Sequence, residues 1–366
     1  MAVTRTLDNG NVVTEWTEEV NEIDNQYGLL NGTDLFVGEG VSQESVIFEK
    51  NYITRTLIPQ ASRRGGDKSK GKDRKTDVFS LALPYFSHQD YVTPQDIQGW
   101  RQTGTADQPK LLVTAINDKF EDMRNDFDQT REFMKMHAIK GVTVDADGTV
   151  IADMFSEFGL TRTDYQIDFD LDNAAADVDG KIAELKRGVA KNAKAGGRIG
   201  RIEVMVSPEF FDKLINHPKI REAYLYYSAS APTDSVRADL ASYEAWGVVD
   251  TFVHKGIMFY SYDAEFTRDV GDGTTEVVKG LGETGSAESA LNDPQADVGY
   301  TIVRGVRGAY RAYFGPANTL SGANVVGQEI MAYQYRDSKD KYHELEIESA
   351  PLYVLTKPQL SYRVLG

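Results

Sequence analysis

The sequence predicts an α+β protein. Three patterns carry that reading: one long apolar stripe at helical spacing between about Gln108 and Lys140, β-type runs facing each other across turn residues in four places, and no repeat at solenoid or propeller periods. At 366 residues the chain has room for roughly two domains and a sizeable core. It contains no cysteine, which removes disulfide frameworks, thiolate metal sites and cysteine nucleophiles. A formal charge of −16 argues against a general nucleic-acid binder, whose affinity rests on neutralising phosphates with Lys and Arg. No apolar run approaches a membrane span, so the chain reads as soluble and unexported.

Residues 1 to 45 are polar and dotted with Gly and Asn, with scattered anchors at Trp16, Tyr27, Leu29, Leu30, Leu35 and Phe36; they read as an extended arm. Val46 to Pro59 and Thr76 to Phe86 are rich in β-branched and aromatic residues and predict two strands. Between them, residues 60 to 75 carry Arg63, Arg64, Lys68, Lys70, Lys72, Arg74 and Lys75 against Asp67 and Asp73, a net +5 that leaves −21 for the rest of the chain. Two strands joined by such a tip make a hairpin reaching roughly 40 Å. A hairpin of that length cannot cover both its faces with its own domain, so it reads either as a solvated loop or as an arm lying on an acidic neighbouring subunit.

The stripe Leu112, Ile116, Phe120, Met123, Phe127, Met134 and Ala138 predicts one helix, again roughly 40 Å long, with Gly141 as its stop. The run from Val142 to Met154 predicts a hairpin turning at Asp147-Gly148, a pair that tolerates the positive φ of tight turns. A second helix is expected over Ala176 to Ala193, with Val178, Ile182, Leu185 and Val189 on one face. Arg201 to Val206 predicts a buried strand, followed by Ser207 as N-cap and Pro208 as first residue of a helix to Asn216. Lys255-Gly256 marks another hairpin turn, while residues 263 to 298, rich in Gly, Glu and Asp, read as a surface excursion. The alternation of helix and strand here fits a compact α/β or α+β domain. Beyond it lie the apolar strands from Thr301 to Phe314, then a β-pair around the charged turn Asp337 to Lys341.

The search for chemistry returns nothing specific. Gly66 to Asp73 nearly spells a phosphate-binding loop, but Asp73 stands where magnesium needs a hydroxyl, and a strand follows instead of a helix. Gly280 to Gly285 matches G-x-G-x-x-G without a flanking βαβ unit. Asp145 with Asp147, and Asp168, Asp170 and Asp172, lack the closing glutamate of a calcium loop. His88, His137, His217, His254 and His343 show no zinc spacing, and there is no G-x-S-x-G elbow. No catalytic, cofactor or metal site is therefore expected. The parts that stand out are arms, a hairpin and a long helix, which suit an assembly element.

The order of these parts resembles the tailed-phage major capsid fold, also called the Hong Kong phage capsid fold. The C-terminal third sharpens the likeness. Phe314-Gly315-Pro316-Ala317-Asn318-Thr319-Leu320, then Leu345-Glu346-Ile347-Glu348-Ser349-Ala350-Pro351-Leu352 and Lys357-Pro358, resemble the closing signature of the lambda-type major capsid protein E family, with Asn318 where that family commonly has Asp. The resemblance implies an N-terminal arm (1 to 45), an E-loop hairpin (46 to 88), a peripheral domain with its spine helix (89 to 173), an axial domain (174 to 312) and a C-terminal return (313 to 366). By the same layout, 142 to 155 would join 328 to 352 in the peripheral sheet. Asp337, Lys339, Asp340 and Lys341 would form the peripheral tip near quasi-threefold contacts, and the basic residues of 63 to 75 an inter-subunit contact. It further implies a non-enzymatic shell of hexamers and pentamers around double-stranded DNA, assembled in the host cytoplasm, with separate scaffolding, portal and decoration proteins as partners and no membrane. No scaffolding segment is expected ahead of the arm. Two rival readings are a cellular encapsulating compartment of the same fold with protein cargo, and a nucleotide-dependent enzyme using Gly66 to Asp73.

Overall fold

A computed structural model describes residues 3–6, 12–23, 28–52, 75–98, 111–193, 199–229, 250–271, 274–282 and 293–366. In chain order its strands are β1 Val3–Thr6, β2 Val12–Glu15, β3 Val37–Gly40, β4 Ser45–Tyr52, β5 Lys75–Ala82, β6 Phe86–Val92, β7 Val142–Val144, β8 Val150–Asp153, β9 Gln166–Asp168, β10 Arg201–Val206, β11 Thr251–His254, β12 Ile257–Ser261, β13 Glu265–Gly271, β14 Thr274–Lys279, β15 Val298–Arg304, β16 Tyr310–Phe314, β17 Met331–Arg336, β18 His343–Ser349, β19 Pro351–Leu355 and β20 Arg363–Leu365. The helices are α1 Thr17–Asn21, α2 Leu29–Gly32, α3 Leu112–Lys140, α4 Met154–Glu157, α5 Val178–Ala193, α6 Pro208–Asn216 and α7 Pro218–Ala229.

The expected long helix is α3. Ile116, Phe120, Met123, Phe127, Met134 and Ala138 are buried as the stripe requires, whereas Leu112 in the first turn is exposed. Gly141 closes the helix at φ +82°, its N–H donating to the Ala138 carbonyl at 2.9 Å. The first two-thirds of α3 rests on the five-stranded sheet β1-β2-β17-β18-β6 through Phe120, Met123, Ile330, Leu345 and Ile347. Its last third enters a larger core built on the mixed sheet β11-β12-β10-β15-β20-β9.

That second sheet forms as its sequence dictates. The Val178, Ile182, Leu185 and Val189 face of α5 is fully buried. Ser207 caps α6 by accepting from the Phe210 N–H at 3.3 Å, with Pro208 as the first helical residue. Lys255 at φ +50° and Gly256 at φ +76° make the turn between β11 and β12, and Gly148 at φ +86° closes the β7-β8 hairpin.

Five expectations are corrected. The run through Phe86 breaks at Leu83-Pro84-Tyr85, so that β5 pairs with β4 while β6 leaves to pair with β18; proline lacks the N–H that would continue a ladder. The C-terminal run breaks in the same way at Ala350, with β18 in the five-stranded sheet and β19 paired with β16. It is β6, and not the β7-β8 hairpin, that completes the five-stranded sheet, since among the described residues β7 and β8 pair only with each other. The N-terminal stretch is woven into the body: β2 pairs with β17, α2 lies on α3, and β3 runs parallel to β16. Finally, Glu265–Gly271 and Thr274–Lys279 of the supposed surface excursion pair as β13 and β14, with Phe266 buried and Arg268 opposite Glu276, and Asp293 and Asp297 are buried beyond them.

Candidate assembly surfaces

The β4-β5 hairpin presents two unlike faces, because side chains alternate along each strand. Val46, Phe48, Phe79 and Leu81 face the body and pack on Met154, Tyr313, Leu352 and Val354. Phe48 stacks on Phe79 at 5.2 Å between ring centroids and meets Tyr313 edge-on at 5.6 Å. On the other face Ile47 and Val78 are each 62% exposed. The hairpin root is a backbone clasp, with the Val41 N–H on the Phe314 carbonyl at 2.8 Å, the Gly327 N–H on the Val41 carbonyl at 3.0 Å and the Gly315 N–H on the Ala350 carbonyl at 2.9 Å. A Cβ on Gly40 or Gly327 would collide with the facing backbone, so only glycine fits there.

Of the basic tip, Lys75 begins β5 opposite Tyr52, while Arg63, Arg64, Lys68, Lys70, Lys72 and Arg74 lie outside the described residues. The Gly66 to Asp73 loop lies outside them as well, and so does the end of the Gly280 to Gly285 motif.

The turn from β17 to β18 holds itself together. The Asp340 N–H donates to the Asp337 carbonyl at 2.9 Å, the Lys341 N–H to the Asp337 carboxylate at 3.3 Å, and the Asp337 N–H to the Tyr342 carbonyl at 3.1 Å. Asp340, at φ +57°, accepts from Arg336 at 2.8 Å in an exposed pair of small energetic weight. Lys339 and Lys341 are exposed.

Behind the turn, the outer face of the five-stranded sheet is acidic and tyrosine-lined. Glu344, Glu346 and Glu348 alternate with the buried Leu345 and Ile347 along β18; the first two are half-buried and Glu348 is buried. Glu346 accepts from Ser87 at 3.0 Å and Gln89 at 3.2 Å; Glu348 accepts from Tyr85 at 2.6 Å and from the Asn318 backbone N–H at 3.0 Å. Burial and Glu348 push the Tyr85 hydroxyl up, as burial and Glu346 push up Tyr335, and Glu344 raises Tyr91. The two C-terminal sequence signatures therefore meet in space. Because the contact uses the backbone of residue 318, the Asn there in place of Asp leaves it intact. Residues 316 to 324 and 42 to 45 enclose an open groove of about 650 Å³, with Leu320 wholly exposed on its rim.

Sequence reasoning missed the charges buried on α3. Asp128 receives Arg124 at 3.2 Å and Arg131 at 2.8 Å; Arg131 also meets Glu329 and the Tyr353 hydroxyl, and Lys140 pairs with Asp293 at 3.0 Å. Burial and the neighbouring Arg131 push Lys135 down to about 7, and burial pushes His137 down to about 3. A helical charge pattern looks solvated unless the partners, here at Tyr353 and Asp293, are already known to be adjacent.

Among the described residues no group of carboxylates and histidines is placed to hold a metal, and no helix is long and apolar enough to cross a membrane. The suspected acidic loops serve local turns instead: Asp147 accepts from the Thr149 N–H at 2.7 Å and Asp168 from the Asp170 N–H at 2.8 Å.

Comparison with known proteins agrees with the architecture. A family model for phage major capsid protein E matches residues 13–365. The major capsid protein of Salmonella phage Felix O1 is 30% identical over 353 residues, covering 95% of this chain and 94% of its own. That of Pseudomonas phage KPP10 is 28% identical over 360 residues, covering 97% and 96%. Among solved structures, one described as a capsid protein of an Escherichia coli CFT073 prophage superposes with a TM-score of 0.58 at 15% identity, covering 100% of this chain and 99% of that one. The capsid of Ralstonia phage GP4 gives 0.50 at 7% identity, covering 94% and 93%. These structures share the tailed-phage capsid fold, and by the extent of the family match the chain belongs to the phage major capsid protein E family.

Proposed function

We infer that this chain is the shell-forming subunit of a phage head, assembling with copies of itself into an icosahedral capsid around double-stranded DNA. The observation that carries this reading is the β4-β5 hairpin, which leaves Ile47 and Val78 bare on one face while the other is packed on its own body. On that face the two aliphatic side chains stand exposed on paired strands beside Glu49 and Ser80, a mixed surface suited to being covered by a neighbour. The relatives' designation as major capsid proteins supports the same conclusion.

Within this reading, the β4-β5 hairpin, residues 45 to 82, acts as the E-loop and its basic tip, Arg63 to Lys75, lies on an acidic neighbouring subunit. The Asp337 to Lys341 turn meets its symmetry mates at quasi-threefold positions, residues of about 174 to 312 surround the capsomer axis, and capsomers are hexamers and pentamers. Assembly takes place in the host cytoplasm with separate scaffolding and portal proteins and, on some shells, a decoration protein. The chain performs no catalysis.

The test is size-exclusion chromatography and negative-stain electron microscopy of the chain expressed alone and beside its own head genes. Closed shells or capsomer rings are expected from the chain alone, and closed shells holding nuclease-protected DNA when the head genes are present. A chain that stays monomeric in both backgrounds, or shells filled with protein instead of DNA, would overturn the reading.

A further inference from the structure

One carboxylate sits where three parts of the chain meet. Glu132 is buried on α3 and accepts three hydrogen bonds: from the Leu30 N–H at 2.9 Å, the Asn31 N–H at 2.9 Å and the Tyr262 hydroxyl at 2.8 Å. Leu30 and Asn31 belong to the segment that leads directly into β3 and the β4-β5 hairpin, and Tyr262 follows β12 of the six-stranded sheet. The approach is so close that a Cβ on Gly28, at φ +90°, would lie 2.4 Å from the Glu132 carboxyl carbon. Asn31 adds two further ties to α3, donating to the Asp128 carbonyl at 2.6 Å and accepting from Lys135 at 2.7 Å. Leu29 and Leu30 are buried, yet few other apolar anchors hold residues 28–32, so this polar junction bears much of their attachment.

We propose that Glu132 is a charge-operated latch: ionised, it clamps residues 28–32 between α3 and the end of β12, and once neutralised it releases them from both. A carboxylate suits this task because two backbone N–H groups and a hydroxyl all donate to it, and each bond weakens when the acceptor loses its charge. A buried charge is a poor net stabiliser, but removing one partner of a buried charged contact is strongly destabilising.

The groups facing this site set its pH response. On α3 itself these are Asp128, Arg131, Lys135 and, a turn earlier, Arg124; Tyr262 faces it from the segment after β12. Tyr353 of β19 holds Arg131 and lies 5.3 Å beneath the Lys135 ammonium, and Glu329 reaches Arg131 from the loop before β17. Burial raises the Glu132 carboxyl, and burial together with Arg131 lowers Lys135 to about 7. A charged Lys135 favours ionised Glu132, so the two titrate as a pair and release follows only when both hold their protons.

The latch concerns the chain alone and stands or falls separately from the assembly reading. Hydrogen exchange of purified full-length protein, followed by mass spectrometry and corrected to protection factors, reads the amides of Leu30 and Asn31 against reference peptides in β10 and β15. Glu132→Gln at pH 7.5 is expected to lower protection at residues 28–36 by tenfold or more while the references stay protected. Wild type should reach the same state as the pH falls, and Tyr262→Phe, which removes one donor and leaves the fold, should move that transition upward by about one pH unit. Unchanged protection in Glu132→Gln, an unmoved transition in Tyr262→Phe, or loss of protection in the references at the same pH would each refute the latch.

Discussion

Lowering the pH from 7.5 to 5 should cost the folded chain about 2 kcal/mol through His137 alone. The ring is fully buried in the last turns of α3, 4.3 Å between centroids from Phe133, with Nδ1 3.0 Å from the Phe133 carbonyl and with Lys140 and Arg268 adding positive charge nearby. Burial, then Lys140, pushes it from 6.5 down to about 3, so the folded state keeps it neutral while the unfolded state takes up a proton below 6.5. The unfolded chain binds more protons between those values, and stability therefore falls as pH drops through the window. It is complete above 6.5 and wholly lost near 3. With 1.36 kcal/mol per pKa unit, the 1.5 units between 6.5 and pH 5 give the figure of about 2 kcal/mol. Other groups titrate too, so the assay compares His137→Phe with wild type by urea denaturation at both pH values. The variant loses a hydrogen bond and should be less stable by about 1 kcal/mol at pH 7.5. At pH 5 it should be the more stable by about the same amount. A difference that does not change between the two pH values would show that His137 takes its proton in the folded state, and would refute the reasoning.

Three further outcomes are expected. Gly141→Ala should lower stability by about 1–3 kcal/mol in thermal denaturation, because φ is +82° and the new methyl would meet Phe155 at 2.7 Å. Asp293→Ala strands the buried Lys140 ammonium and the Tyr300 hydroxyl, which donates to it at 2.7 Å, and should cost about 3–5 kcal/mol in the same measurement. Reversing Lys68, Lys70 and Lys72 to Glu should abolish shell formation at low salt, and added salt should weaken assembly of the unaltered chain; light scattering that shows equal assembly in both would count against a charge-driven tip contact.

Most of the regular structure can be read where local chemistry is decisive. Asp147-Gly148 and Lys255-Gly256 turn as pairs suited to positive φ, Gly141 stops its helix, Ser207-Pro208 starts one, and the four apolar residues of α5 all turn inward. Reading failed where a strand changes partner without changing character. Pro84 and Pro351 lie at breaks inside continuous β-type runs, and only the sheet each half joins reveals the break. It failed again where polar composition suggested solvent: β13 and β14 are held by cross-strand pairs, and Asp293 is drawn inside by Lys140, 153 residues away. The candidate surfaces were legible as charge and motif, but the bare Ile47 and Val78 face depends on which side of the ribbon the body covers, and alternation alone cannot choose between sides.

The glycine clasp beneath the β4-β5 hairpin has a mechanical meaning. Main chain grips main chain at Val41, Phe314, Gly315 and Gly327, with no long side chain to absorb play. Each strand above it runs for eight residues, about 26 Å at strand rise. A turn of about 5° at the clasp therefore sweeps the far end of the stem through about 2 Å, nearly half the spacing between paired strands. The ribbon behaves as a pointer on a stiff pivot, its aim set by that pivot together with the Val46, Phe48, Phe79 and Leu81 contacts that brace it on the body.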